Sequence, residues 1–208
     1  MLFKVLRSIS FMPNSCLTRI EGSTFLGCDQ LTSVALPSTF KRIEKYTFWR
    51  CPKLTSIEIP SSVEEIEERA FVESALKSIV FTPDSNLRNI RRKAFQGCAL
   101  ESLDIPCSVE EIEEMAFADL NVKSVVFSAN SKLRKIETGA FQGCALEVIY
   151  IPSSVESIEE AAFVNCVQLR SVFLPTDSKH RNISPKAFQG CDSLKNIGEI
   201  CRCIDCIQ

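Results

Sequence analysis

Eleven cysteines, one histidine and repeated blocks of glutamate are the residues of this 208-residue chain whose chemistry reaches beyond packing. A cysteine and a histidine make a nucleophile and its base when their side chains stand within about 3 Å. The single histidine, His180, lies between Lys179 and Arg181, and most of the cysteines are claimed by another pattern described below. Paired carboxylates serve as general acid and base when their environments differ. Here the glutamates recur block after block, which suits a lattice better than one unique pair. Cys201, Cys203 and Cys206 are close enough to share a metal, but a structural zinc site takes four ligands. A disulfide, a lipid attachment and an unpaired cap remain open for them. The seven glycines are scattered, and none builds a phosphate-cradling loop. The chain therefore reads as non-enzymatic, with no catalytic residue, no metal and no cofactor.

The elements that carry these residues repeat. The pair Ile-x4-Phe occurs eight times, at Ile20/Phe25, Ile43/Phe48, Ile66/Phe71, Ile90/Phe95, Ile112/Phe117, Ile136/Phe141, Ile158/Phe163 and Ile183/Phe188. A fixed period of 22–25 residues between the phenylalanines is the signature of a solenoid. Five or six residues after each Phe comes Leu-x-x-Ile-x-Ile-Pro or a variant of it, as in Leu54-Thr-Ser-Ile57-Glu-Ile59-Pro60. Its period-two alternation is that of a strand, and proline, which has no N–H to donate, closes it. One such strand per repeat predicts nine parallel strands stacked in register, with a ladder of buried phenylalanines. Residues 1–198 form the solenoid, about eight to nine repeats, and residues 199–208 form a cysteine-containing tail.

Three residues after Phe stands Cys28, Cys51, Cys98, Cys144, Cys166 or Cys191 in six of the eight repeats. A site fixed relative to a core Phe is itself a core site, and free cysteine behaves there as a small hydrophobe. Ser74 and Leu120 fill the same site in two repeats, so free thiols are expected rather than disulfides. The residue before Phe is usually alanine, where no larger side chain is expected to fit.

This pattern resembles the BspA-like leucine-rich repeats of bacterial and protist surface proteins. Ile59-Pro60-Ser61-Ser62-Val63-Glu64-Glu65-Ile66 followed by Ala70-Phe71 carries the resemblance, as does Ile151-Pro152-Ser153-Ser154-Val155-Glu156-Ser157-Ile158 followed by Ala162-Phe163. It implies a right-handed horseshoe or superhelix, mostly β, with parallel strands and short irregular or 3-10 turns. It also implies adhesion or host and matrix recognition at a cell surface. Residues 1–15 lack the unbroken apolar core of an export signal, which keeps an intracellular scaffold as the second reading. No run of residues approaches the ~18–20 apolar residues of a helical membrane span.

Charge alternates from coil to coil. Lys41, Arg42 and Lys45 flank Ile43; Glu64, Glu65, Glu67 and Glu68 flank Ile66; Arg88, Arg91, Arg92 and Lys93 flank Ile90. Glu110, Glu111, Glu113 and Glu114 follow, then Lys132, Arg134 and Lys135, then Glu156, Glu159 and Glu160, then Lys179, Arg181 and Lys186. Opposite charges on adjacent strands attract, so an inter-coil salt-bridge lattice is predicted. Acidic coils separate the arginines, and 24 basic residues face 26 acidic ones; a nucleic-acid groove is not expected. Residues 94–101 and 140–147 are both Ala-Phe-Gln-Gly-Cys-Ala-Leu-Glu, so the duplicated unit is two coils long.

On the strand-bearing face one outward row reads Ser10, Ala35, Glu58, Val80, Asp104, Val126, Tyr150, Phe173, Gly198. Val126, Tyr150 and Phe173, with Val148 beside them, are expected to form an exposed apolar patch, the mark of an interaction site. The expected partner is a protein; self-association through this patch or the open solenoid ends is the other reading.

Overall fold

The computed structural model describes residues 3–12, 14–175 and 182–200. His180 with its neighbours Lys179 and Arg181, and the tail cysteines Cys201, Cys203 and Cys206, lie outside the described residues. The chain forms a parallel-strand β-solenoid, with no helix among the described residues.

Seven coils contribute two strands each, where the repeat predicted one; the coil through Ile20 has only the first. In chain order they are β1 (Ser8–Ile9), β2 (Ser33–Val34), β3 (Arg42–Ile43), β4 (Ser56–Ile59), β5 (Glu65–Ile66), β6 (Ser78–Phe81), β7 (Asn89–Ile90) and β8 (Leu103–Ile105). They continue as β9 (Glu111–Ile112), β10 (Val125–Phe127), β11 (Lys135–Ile136), β12 (Val148–Tyr150), β13 (Ser157–Ile158), β14 (Ser171–Pro175), β15 (Asn182–Ile183) and β16 (Asn196–Ile200). The missed strand is the Ile of Ile-x4-Phe together with the residue before it. Two residues are too few to show period two in a sequence. Stacked seven deep, they still make one continuous parallel sheet, β3-β5-β7-β9-β11-β13-β15.

The Leu-x-x-Ile-x-Ile strands line the opposite side, and their sheet is broken into pieces: β1-β2, β4-β6, β8-β10 and β12-β14-β16. The breaks between β6 and β8 and between β10 and β12 follow the two-coil duplication. From Phe81 to Ile90 and from Phe127 to Ile136 the chain takes nine residues; from Ile59 to Ile66 and from Ile105 to Ile112 it takes seven. The two turn lengths alternate from coil to coil, and the strands stay paired from a shorter turn to the longer one after it (β4-β6, β8-β10) but not from a longer turn to the next shorter one.

Between the two faces runs the phenylalanine ladder. Phe25, Phe48, Phe71, Phe95, Phe117, Phe141, Phe163 and Phe188 stack with ring centroids 5.1–5.7 Å apart and planes within 14° of parallel. The backbone sets this spacing: the N–H of Phe95 donates to the carbonyl of Ala116, and that of Phe117 to Ala140, each at 2.8 Å. Ala70, Ala94, Ala116, Ala140 and Ala162 are fully buried at this inter-coil contact, as expected of a site with no room to spare. Left-handed backbone two residues after Phe turns the chain back on itself, with glycine in some coils (Gly97, Gly143) and Arg50, Glu73, Asp119 or Asn165 in others.

The six ladder cysteines are buried and free, and they do more than fill space. The thiols of Cys51, Cys98, Cys144, Cys166 and Cys191 each donate to the carbonyl of the Phe in the preceding coil, at 3.0–3.3 Å. A serine at this site keeps a donor, which accounts for Ser74, whose hydroxyl lies 3.5 Å from the Cys98 sulfur. Leu120 fills the site without one.

Burial pushes the thiols of Cys98 and Cys144 from the ordinary 9.0 up to about 12. A thiol pKa raised by folding favours the folded state fully below about pH 9 and loses that contribution as the pH climbs towards 12. Unfolding free energy is therefore expected to fall across this window, and to fall less steeply in a Cys98→Ala, Cys144→Ala variant. In the native protein a thiol reagent should modify the exposed Cys16 and Cys107 quickly and the six ladder thiols only on unfolding. Rapid native modification of Cys98 or Cys144 would contradict their burial.

The charged segments form the predicted lattice along the continuous sheet. Arg91 bridges Glu65 at 2.8 Å and Glu113 at 2.6 Å. Arg42 reaches Glu65 and Glu67, and Lys135 touches Glu111, Glu137 and Glu159. Burial raises the carboxyl pKa of Glu65, but the hydrogen bond and charge of Arg91, aided by Arg42, outweigh it and hold the pKa below the usual range. Burial and the neighbouring Glu137 raise that of Glu111.

Reversing Glu67 and Glu68 to lysine removes pairs to Arg42, Lys45, Arg69 and Arg92 and sets like charges against them. The expected loss is about 1–2 kcal/mol, since each exposed pair is worth ~0–1 kcal/mol, and salt should shrink it. Urea unfolding at low and high ionic strength reads it; an unchanged midpoint at low salt would remove the lattice from the stability account.

Candidate partner-binding face

The strand-bearing face is built by alternation. In β4 the residues Ile57 and Ile59 are buried and Ser56 and Glu58 exposed; β8 and β12 alternate in the same way. The outward side chains stack coil on coil, because Val126 pairs with Asp104, Tyr150 with Phe173, and Phe173 with Gly198.

The four patch residues fall on one stretch of this face. Val126 is 55% and Tyr150 57% exposed, while Val148 and Phe173 are half-buried. The rings of Tyr150 and Phe173 stack at 4.8 Å and 12°, a second aromatic ladder on the outside of the molecule. Gly198 ends it: a Cβ there would lie 3.8 Å from the Phe173 ring, ordinary contact, yet the site carries no side chain. The patch crosses the junction between β10 and β12. These strands lie in different hydrogen-bonded sheets, joined where the N–H of Glu147 donates to Lys123 at 2.8 Å.

Polar neighbours frame the patch. Lys123 pairs with Glu147 at 3.3 Å and Lys77 with Glu101 at 3.6 Å. Val80, 56% exposed, stands in the same outward row on the other side of Asp104. The sequence puts Val80 in the same outward row, with Asp104 between it and Val126. Its signal was the same one that singled out Tyr150: an apolar residue where other coils carry Ser10, Glu58 or Asp104.

Among the described residues no group of cysteine, histidine, aspartate and glutamate is arranged to hold a metal. No helix among the described residues is long and apolar enough to cross a membrane.

The fold has close counterparts. A leucine-rich repeat protein from Bacteroides ovatus is 20% identical with a TM-score of 0.60, over 91% of this chain and 54% of that one. This chain thus spans about half the length of that protein. The leucine rich repeat protein of T. pallidum is 26% identical with a TM-score of 0.60, over 86% of this chain and 72% of that one. The pneumococcal vaccine antigen PcpA is 20% identical with a TM-score of 0.55, over 86% of this chain and 59% of that one. Among curated proteins, none matches this chain. The pattern of the BspA type leucine rich repeat region matches in six copies, over residues 3–123 and 88–204. That match runs through both ladders and both faces, and the chain belongs to the BspA type leucine rich repeat family.

Proposed function

We propose that this chain is a non-catalytic protein-binding module that holds its partner on the strand-bearing face, at Val126, Val148, Tyr150 and Phe173, and that it serves adhesion or host and matrix recognition at a cell surface. The observation that carries the reading is the stack of the exposed Tyr150 on the half-buried Phe173. Nothing in the coil needs an aromatic there, since the equivalent sites hold Ser10, Ala35, Glu58 and Asp104 without loss of the coil. Tyrosine is also the residue type most often found at interaction hot spots, together with Trp and Arg. The surface role is supported by the family to which the chain belongs, and repeat modules of this kind are generally non-enzymatic.

A second reading, an intracellular scaffold using the same face, is favoured by the cysteines. All eight described ones are free, the state that reducing compartments maintain. Antibody labelling of intact cells separates the two readings. Labelling without permeabilisation, abolished by external protease, is expected of the adhesion module; labelling only after permeabilisation would overturn it in favour of the scaffold.

A further inference from the structure

The strand-bearing face is cleft where β6 meets β8. These neighbours share no strand hydrogen bonds, and the longer turn after β6 carries Asp84 in a left-handed conformation, φ 58°. Between them opens a groove of about 380 Å³, walled by Val80, Phe81 and Pro106 and holding Asp84 and Asp104. Neither aspartate has an ion pair among the described residues, whereas Glu101 and Glu147 on the same face are paired to Lys77 and Lys123.

We propose that this groove is the charged half of the partner site and receives a lysine or arginine side chain of the protein segment whose apolar residue rests on Tyr150 and Phe173. The proposal rests on the strand-bearing face being the binding face. The aliphatic stem of the basic residue lies against Val80 and Phe81, as such stems do on apolar surface, and its head meets the carboxylates of Asp104 and Asp84 in charge-assisted contacts.

The spacing follows from the row. Tyr150 is two coils and Phe173 three coils beyond Asp104, so at ~4.8 Å per coil they stand about 10 and 14 Å away. An extended segment advances ~3.3 Å per residue. The partner therefore carries its basic residue about four positions from its aromatic or branched aliphatic one, an even spacing that keeps both side chains on one side of the extended segment, and runs along the solenoid axis.

The test is selection from a display library of random short peptides on three proteins: the unaltered chain, Asp104→Lys, and Tyr150→Ser with Phe173→Ser. All three changes are on the outside of the coil. On the unaltered chain, enriched peptides should pair a basic with an apolar residue at this spacing. On Asp104→Lys the basic residue should give way to an acidic one while the apolar residue stays. On the aromatic-less variant the apolar preference should vanish. A synthetic peptide from the first selection should bind Asp104→Lys about tenfold or more weakly, a loss of ~1.4 kcal/mol. It should also shield Cys107, which lines the groove, from alkylation while Cys16 still reacts. Peptides with the apolar residue but no charge preference, or unchanged on Asp104→Lys, would overturn the groove and leave the face standing. Peptides indifferent to loss of Tyr150 and Phe173 would overturn the face itself.

Discussion

Truncating Phe117 to alanine is expected to cost about 3–5 kcal/mol of stability, the range for removing a buried phenylalanine. Its side chain is fully buried, between Phe95 at 5.3 Å and Phe141 at 5.6 Å. The cost sits at the upper end because the hole cannot close. The coils on either side are held at their spacing by hydrogen bonds from Phe95 to Ala116 and from Phe117 to Ala140, and by the Cys144 thiol on the Phe117 carbonyl at 3.0 Å. A ring removed from a stack pinned this way leaves a void and two uncovered faces. Phe188, half-buried at the end of the ladder, should cost markedly less when truncated. Urea unfolding followed by circular dichroism reads both. Equal losses at the two sites, or a loss under ~1 kcal/mol at Phe117, would mean that the ladder is not what holds the coils together.

Replacing Tyr150 and Phe173 together by serine is expected to weaken partner binding, or self-association, by more than about tenfold, since truncating a hot spot costs ~2 kcal/mol or more. Unfolding should change far less than at Phe117. Surface substitutions usually stay within about 0.5 kcal/mol, and the mutual stack of these two rings adds ~0.5–1.5 kcal/mol. The pattern of effects is the point: a core ring costs stability, and these rings cost association. Titration of each identified partner against the double variant, with sedimentation velocity for self-association, decides it. Normal affinity for every partner and an unaltered oligomeric state would show that Val126, Val148, Tyr150 and Phe173 are not the site.

Both outcomes depend on a side chain's direction, and much of that was legible in the order of residues. Ile-x4-Phe and Leu-x-x-Ile-x-Ile recur at a constant separation, so every coil must place the same residue at the same point on its circuit. Burial of Phe95, of Ala116 and of the cysteine row follows from repetition alone, because a site fixed relative to the core is a core site. The outward direction of Tyr150 follows in the same way from period two. The alternating charges around Ile43, Ile66 and Ile90 predicted contacts between coils, since stacking brings residues 22–25 apart side by side.

What the tertiary structure decided concerns the fit of one coil to the next. The seven-stranded sheet through Ile43, Ile66 and Ile90 exists because stacking extends a two-residue strand across coils, while a single coil shows only two residues. The thiol of Cys144 became a hydrogen-bond donor because a carbonyl from another coil, that of Phe117, stands 3.0 Å away; composition marks a cysteine only as small and apolar. The strand-bearing face is interrupted between β6 and β8 and between β10 and β12, and the groove beside Asp104 lies at the first of these interruptions. A repeat determines which residues face in and which face out. Which neighbouring circuits pair strand to strand is a property of the pair, and only their packing decides it.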